Sequence, residues 1–303
     1  MKTEPFRGEA LTLRAVDGFP LGASRFPATA PLRGRILVAG ATGIPQTFYA
    51  NFSAHAAGHG FETLTFDYRG IGRSKTAPLP GFQASFLDWA RLDLAAVVEA
   101  LAGDDTPLFV VAHSFGGHAL GLIPNHHRIA GCHVFAVGAG WHGWMSPLER
   151  IRVLMLWNAI LPPIVRWKGY LPWSLLGMGE DLPLGVYRQW RRWCRFPRYF
   201  LDDPTLPELA RQCAQVRVPI VAVNALDDAW APPASRDAFL LHAYPNAVIE
   251  RVDIDPRETG PIGHVGYFRK RASSLWDYAL EGFSTRLNVP LCSSACAELG
   301  PRG

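Results

Sequence analysis

Residues 107–121, PLFVVAHSFGGHALG, decide how the rest of the chain is read. Residues 108–112 form a short apolar run rich in branched side chains, which predicts a strand buried on both faces, as in parallel sheets. His113, Ser114, Phe115, Gly116 and Gly117 follow, and then small and apolar residues that suit a helix. A strand that turns sharply into a helix at a serine lifts the hydroxyl above the sheet edge. The serine takes a strained backbone conformation, and its neighbours are small because the helix packs closely on adjacent strands. The usual pattern is G-x-S-x-G; here Ala112 stands in the first place. By itself the motif equally describes a surface turn, so its meaning rests on what the rest of the chain supplies.

Before this stretch, residues 11–26 hold two short alternating runs joined around Asp17-Gly18, a hairpin signal. A strand is predicted at 35–39, running into Gly40-Ala41-Thr42-Gly43, with a helix near 46–58. A further strand at 61–66 runs into Asp67-Tyr68-Arg69-Gly70-Ile71-Gly72-Arg73-Ser74, and residues 85–101 have helical spacing. After the elbow a strand is expected at 133–137. This alternation implies an α/β fold with a mostly parallel sheet covered on both faces. It stops at 141–207, a helix-prone, proline-interrupted stretch holding seven of the ten tryptophans, which reads as an inserted helical cap. It resumes with a strand at 219–223, a helix at 233–242, a strand at 248–254, a loop carrying His264 and a helix over 265–280. The expected organisation is a core of residues 1–140 and 208–288, a cap of 141–207 and a tail of 289–303.

Composition narrows the class. The formal charge of +4 is too small to suggest a nucleic-acid-binding protein. The cysteines (Cys132, Cys194, Cys213, Cys292, Cys296) are odd in number and scattered, which reads as free thiols of a reducing compartment. No apolar run reaches the length of a membrane helix, and the N-terminus lacks the apolar core of a signal peptide. A cytoplasmic enzyme without stable membrane insertion is the expectation.

A serine hydroxyl needs a base within hydrogen-bond reach, and the base needs an orienting acid. In hydrolases with an elbow, the chain order is serine, acid, histidine. Both later places are filled: the strand at 219–223 leads into Asp227-Asp228, and the strand at 248–254 leads into His264.

With these placements the chain resembles an α/β-hydrolase of the serine-hydrolase superfamily over roughly residues 10 to 285. More narrowly it resembles a bacterial group of serine aminopeptidase- and lysophospholipase-like members. The matching stretches are GATGIPQTFY, FDYRGIGRS, AHSFGG and GHVGYFR. The resemblance implies Ser114 as nucleophile, His264 as base and an acid at Asp227 or Asp228. The common spacing of four residues before a proline selects Asp228 before Pro232, leaving Asp227 as a cap or turn residue. The oxyanion donors would be the N–H groups of Phe115 and, after the first parallel strand, Ala41, with Thr42 second. The family often has His-Gly where this chain has Ala39-Gly40. Such an enzyme needs no cofactor and no metal, and its partner is a small acyl substrate. Trp141, Trp144 and Trp230 are the expected substrate-binding residues.

Several other patterns compete. Gly40 and Gly43 fill only the last two places of a dinucleotide-binding turn. Arg69 is expected to pair locally. His113 and His118 flank the elbow without a required role, and His126-His127 lacks metal-ligand spacing. Arg188, Arg191, Arg192, Arg195 and Arg198 interleave with Trp190 and Trp193, which reads as a solvated cap face with the tryptophans turned inward. The expected function is cleavage of an ester or related acyl bond of an apolar substrate. Acyl transfer or thioester cleavage would use the same residues, and a non-catalytic scaffold is the alternative of another class. A homodimer is left open.

Overall fold

A computed structural model of the chain describes residues 8–287. The tail expected at 289–303, with Cys292 and Cys296, lies outside the described residues. In chain order the strands are β1 (Glu9–Arg14), β2 (Pro20–Phe26), β3 (Gly34–Ala39), β4 (Phe61–Phe66), β5 (Leu108–His113), β6 (Ile129–Phe135), β7 (Tyr170–Leu171), β8 (Leu182–Pro183), β9 (Ile220–Ala225) and β10 (Ile249–Ile254). Eight of them form one sheet in the order β1-β2-β4-β3-β5-β6-β9-β10, while β7 and β8 make a separate two-stranded ribbon. The β1–β2 and β2–β4 pairs are antiparallel, and every pair from β4 to β10 is parallel.

The apolar character of the central strands follows from burial on both faces. All six residues of β5 are buried. Successive side chains point to opposite faces: Leu37, Ala39, Val110 and Ala112 join one core, and Ile36, Val38, Phe109 and Val111 join the other. The second core is closed by helices Ala50–Gly58 and Ser273–Arg286. The first extends into residues 141–207, where helices Pro147–Met155, Leu161–Lys168 and Leu184–Trp193 lie between β6 and β9 in the chain.

Three expectations are corrected, and one element is added. The strand expected at 133–137 ends at Phe135. Beyond it the carbonyls of Val137 and Gly138 accept side-chain donors, Asn224 Nδ2 (2.9 Å) and His118 Nε2 (2.7 Å), instead of continuing a ladder. The final helix begins at Ser273 and not at 265, because residues 266–272 turn twice to carry Tyr267 and Phe268 inward. There Ala225 N–H donates to Tyr267 Oη (2.7 Å), and the Phe268 ring meets Tyr49 at 4.7 Å. Arg69 pairs across the fold rather than locally, with Asp17 in the β1–β2 turn and the buried Asp93. The β7–β8 ribbon was not expected, since two-residue strands carry no readable period.

Packing is tight at the short helix Phe115–Ala119 that follows β5. A Cβ on Gly116 would lie 2.1 Å from the Ala39 carbonyl oxygen, and one on Gly117 2.5 Å from Val134 Cγ1. Gly282, in the last helix, has open space around it. Gly116→Ala is therefore expected to destabilise the protein by about 1–3 kcal/mol through overpacking, although alanine is the better helix former. Gly282→Ala should stabilise it by up to about 1 kcal/mol. Denaturant unfolding of the two variants measures both signs.

Candidate active site

β3 and β5 are parallel neighbours with Ala39 opposite Ala112, so the turns leaving their carboxyl ends lie side by side. Ser114 occupies the second of these turns with φ 50° and ψ −108°. A non-glycine residue in this region costs about 1–3 kcal/mol and persists only where its surroundings hold it. Here Ser114 N–H donates to Phe135 O of β6 (2.9 Å), and Ser114 O accepts from Gly117 N–H (2.9 Å).

Three of the residues singled out in the sequence come together. Ser114 Oγ lies 3.1 Å from His264 Nε2, and His264 Nδ1 lies 2.9 Å from Asp228 Oδ2. Asp228 is 1% exposed. Burial is the largest influence on its carboxyl and pushes the pKa up, but His264 and the N–H groups of Ala231 and Trp230 together bring it below the usual range. Those two N–H groups bond to its other oxygen, Oδ1 (3.0 and 2.9 Å). An ionised carboxylate only accepts, so Nδ1 carries the imidazole proton and neutral His264 turns the Nε2 lone pair toward the serine hydroxyl. Burial alone would lower the pKa of His264; the charge and hydrogen bond of Asp228 outweigh it and raise the value above that of a free histidine. Ser114 thus faces a base strengthened by its acid partner, and the arrangement can pass a proton from Oγ to Nε2.

Asp227 is more than the turn residue expected. Its two carboxylate oxygens accept from Ile262 N–H and Gly263 N–H (both 3.0 Å), so it grips the backbone just before His264 while Asp228 grips the ring. His113 holds the same loop from the other side. Its Nε2 lies 2.8 Å from His264 O, and its Nδ1 lies 3.0 Å from Tyr49 Oη. Burial, and then the charge of His264, lower the His113 pKa to about 3, so the ring is neutral. A carbonyl can only accept, so the proton is on Nε2 and Tyr49 O–H donates to Nδ1. Tyr49 Oη in turn accepts Ala41 N–H (2.8 Å).

That last bond bears on the turn after β3, where Ala41 was the first expected oxyanion donor and Thr42 the second. Ala41 N–H is committed to Tyr49, whereas Thr42 N–H has no acceptor among the described residues. Phe115 N–H, at the first position of its helix, has no intrahelical acceptor either. Nothing in the sequence marks Tyr49 as the partner of residues 8 and 64 positions away, although it stands inside the GATGIPQTFY stretch.

Of the three tryptophans expected to bind substrate, Trp230 lies at the site. Its ring centre is 6.1 Å from that of His264, and its Nε1 donates to Glu149 Oε1 of helix Pro147–Met155 (3.2 Å). Trp230 also meets Trp173 and Trp190, which were not among the three expected substrate-binding residues. Trp141 and Trp144 pack on each other instead, and Trp144 Nε1 donates to Pro197 O (2.8 Å). Their aromatic and hydrogen-bond partners do not include Ser114, Asp228 or His264. Among the described residues, one group has metal-ligand geometry: His55, His59 and Asp277, whose ligand atoms lie within 4.8 Å of one another. His55 already bonds Asp277 at 2.6 Å and so ties two helices together.

The chain belongs to the alpha/beta hydrolase family, whose model matches residues 36–265. Among solved structures it is similar to a soluble variant of monoglyceride lipase from Saccharomyces cerevisiae, with a TM-score of 0.67 and 16% identity over 94% of this chain and 96% of that one. It is also similar to a thermophilic esterase from Thermogutta terrifontis (TM-score 0.57, 16% identity, 92% of this chain and 99% of that one). A third is a serine hydrolase without lid from Xanthomonas campestris (TM-score 0.51, 14% identity, 96% and 99%). No curated protein matches the sequence. Identities this low speak for the shared fold, and the family supports a hydrolase.

Tyr49→Phe would leave the buried Ala41 N–H and His113 Nδ1 without their partner. The variant is expected to lose about 1–3 kcal/mol of stability, read from chemical denaturation, while Phe48→Leu on the neighbouring, less buried side chain should lose less.

Proposed function

We propose that the protein is a serine hydrolase that cleaves an ester of a small, largely apolar acyl substrate through an acyl-enzyme. The observation that carries this reading is the unbroken hydrogen-bond line from Asp228 through His264 to a serine held at positive φ. In this mechanism Ser114 Oγ attacks the carbonyl carbon as its proton passes to His264 Nε2. The oxygen that becomes negative is met by the N–H groups of Phe115 and Thr42. His264 then protonates the leaving alcohol, and the C–O bond breaks. Water, deprotonated by the same nitrogen, attacks the acyl-enzyme and releases the acid and the free serine. Asp228 stays ionised throughout, holding the tautomer and stabilising the imidazolium.

Fluorophosphonate labelling tests the nucleophile. The protein should be labelled, with a rate that falls as pH drops through the raised pKa of His264, because a protonated imidazole cannot accept the serine proton. Ser114→Ala should not be labelled, and equal labelling of that variant would sink the assignment.

Replacing the acid partners separates their roles. Asp228→Asn should lower kcat by about 10⁴, as loss of the orienting acid does in the serine-protease example. Asp227→Asn keeps one acceptor but turns an amide N–H₂ toward a backbone N–H. Its loss should be closer to tenfold, about the value of one hydrogen bond.

The aromatic wall beside His264 supports an apolar acyl chain. With about 0.8 kcal/mol gained per buried methylene, kcat/KM should rise from p-nitrophenyl acetate to butyrate and beyond, by at most roughly fourfold per methylene. Faster turnover of acetate than of every longer ester, or of aminopeptidase substrates than of any ester, would refute the apolar-acyl reading.

A further inference from the structure

Residues 147–168 form one continuous helical rod: an α-helix to Met155, a wider π turn over Leu156–Ile160 and an α-helix again from Leu161 to Lys168. Pro162 and Pro163 have no N–H to donate back along the rod, and the turn before them widens. The widening has a geometric consequence. Side chains four apart drift around an α-helix by about 40° per step, and a π turn takes part of that drift back. Stripes at a spacing of four therefore stay on one side over the whole rod. Val153, Trp157, Leu161 and Val165 make the inner stripe, and all are buried.

The opposite stripe is Ile151, Met155, Ala159, Pro163 and Trp167. Every one is apolar and every one is exposed. Ile151 is 57% exposed, Met155 56% and Trp167 82%. A solvated helix face would carry polar residues here, and single exposed apolar residues would need no comment, but a continuous line of them does. The cations lie along its two sides, Arg150 and Arg166 on one and Arg152 and Lys168 on the other, with Glu149 the one acid in the rod. The Lys168 ammonium sits 5.3 Å from the Trp167 ring centre.

Charge is segregated in the same place. Residues 141–207 contain nine Lys/Arg and five Asp/Glu, while the rest of the chain has 21 of each. The whole excess of +4 therefore belongs to the cap. An interface between two copies through this rod would bring two like-charged surfaces together, which works against self-association. Arg150 donates to the carbonyls of His142 and Gly143 and Arg152 pairs with Glu149, which leaves Arg166 and Lys168 beside Trp167 to extend outward. An apolar line with a tryptophan and two such long cationic side chains at one end matches a helix lying in the plane of an anionic bilayer. No helix among the described residues is long and apolar enough to cross a membrane, so the rod would lie on the surface.

We propose that the outer stripe of residues 147–168 is a peripheral docking surface for anionic lipid bilayers. Docking is independent of the chemistry at Ser114, so Ser114→Ala should bind vesicles as the unaltered protein does.

Sedimentation with vesicles tests it. The full-length protein should pellet with phosphatidylcholine vesicles containing about one-third phosphatidylglycerol, with a partition coefficient at least about tenfold above that for pure phosphatidylcholine, and the difference should shrink as salt is raised. Met155→Glu with Trp167→Ala, and separately Arg166→Glu with Lys168→Glu, should each lower that partition by about tenfold or more. Unchanged fluorophosphonate labelling and thermal unfolding would show that the variants remain folded. In the unaltered protein, brominated lipid should quench tryptophan fluorescence, and Trp167→Phe should remove most of that quenching. Failure of the unaltered protein to pellet with anionic vesicles, equal partition into both vesicle types, or variants that partition like it would overturn the proposal. A dimer seen by light scattering that Met155→Glu abolishes, without vesicle binding, would assign the stripe to a second copy and overturn it as well.

Discussion

The close approach of the helix after β5 to the strands on either side is the constraint on which the site depends. Gly116 lies against the Ala39 carbonyl of β3, and Gly117 against Val134 of β6. With no Cβ at either position, the helix can start within one residue of the strand. That leaves Ser114 no relaxed conformation, and φ 50° is the result. The strain is held by bonds to β6 and to the first helical turn, both internal to the sheet core. A rigid, fully buried β5 is therefore a requirement of the elbow as much as a feature of the fold.

The loop carrying His264 is held in a different way. Between the short helix Pro256–Thr259 and the turn at Gly266 it has no regular structure, and its position comes from polar groups that reach it from two separate parts of the chain. Asp227 takes two of its N–H groups, Asp228 takes the imidazole, and His113 takes the His264 carbonyl. His113 is in turn fixed through Tyr49 to the backbone of Ala41. The turn after β3 and the loop after β10 are thus joined by a line of buried hydrogen bonds that runs under the elbow. Each member is satisfied, which is the condition under which a buried polar network rigidifies a site instead of weakening it.

The segment between β6 and β9 meets the site through specific contacts. Glu149 at the inner side of the rod accepts from Trp230, whose backbone N–H bonds Asp228. Glu180, beyond the rod, donates its N–H to Gly43 O and accepts Gly72 N–H, closing on two loops at the carboxyl edge of the sheet. The arginine-rich helix Leu184–Trp193 turns Trp193 into the core and keeps Arg192 on Asp203, so its basic and aromatic interleaving serves packing first.

Local chemistry made much of this legible in the sequence. The doubly buried strand before Ser114, the glycines after it, and an acid and a histidine each following a late strand are one-dimensional signals, because strand burial and turn chemistry act over a few residues. Wherever a role depends on a partner distant in the chain, the residues themselves were silent. The family spacing before Pro232 points to Asp228 for the ring, but only the path of the loop at 262–264 gives its neighbour Asp227 two backbone N–H groups. Ala41 and Thr42 are adjacent in the turn after β3, and folding brings the hydroxyl of Tyr49 to the N–H of the first alone. Trp141 and Trp230 are equally aromatic on paper, yet packing sends one to Trp144 and the other to His264. The outer stripe of the rod at 147–168 was hidden for a related reason: its spacing of four holds only because a π turn corrects the drift of the helix, and its exposure is set by what the opposite face packs against. Periodicity and motif belong to the chain, but choice among chemically equal candidates belongs to the tertiary structure, because it is made by hydrogen-bond and packing partners brought together by folding.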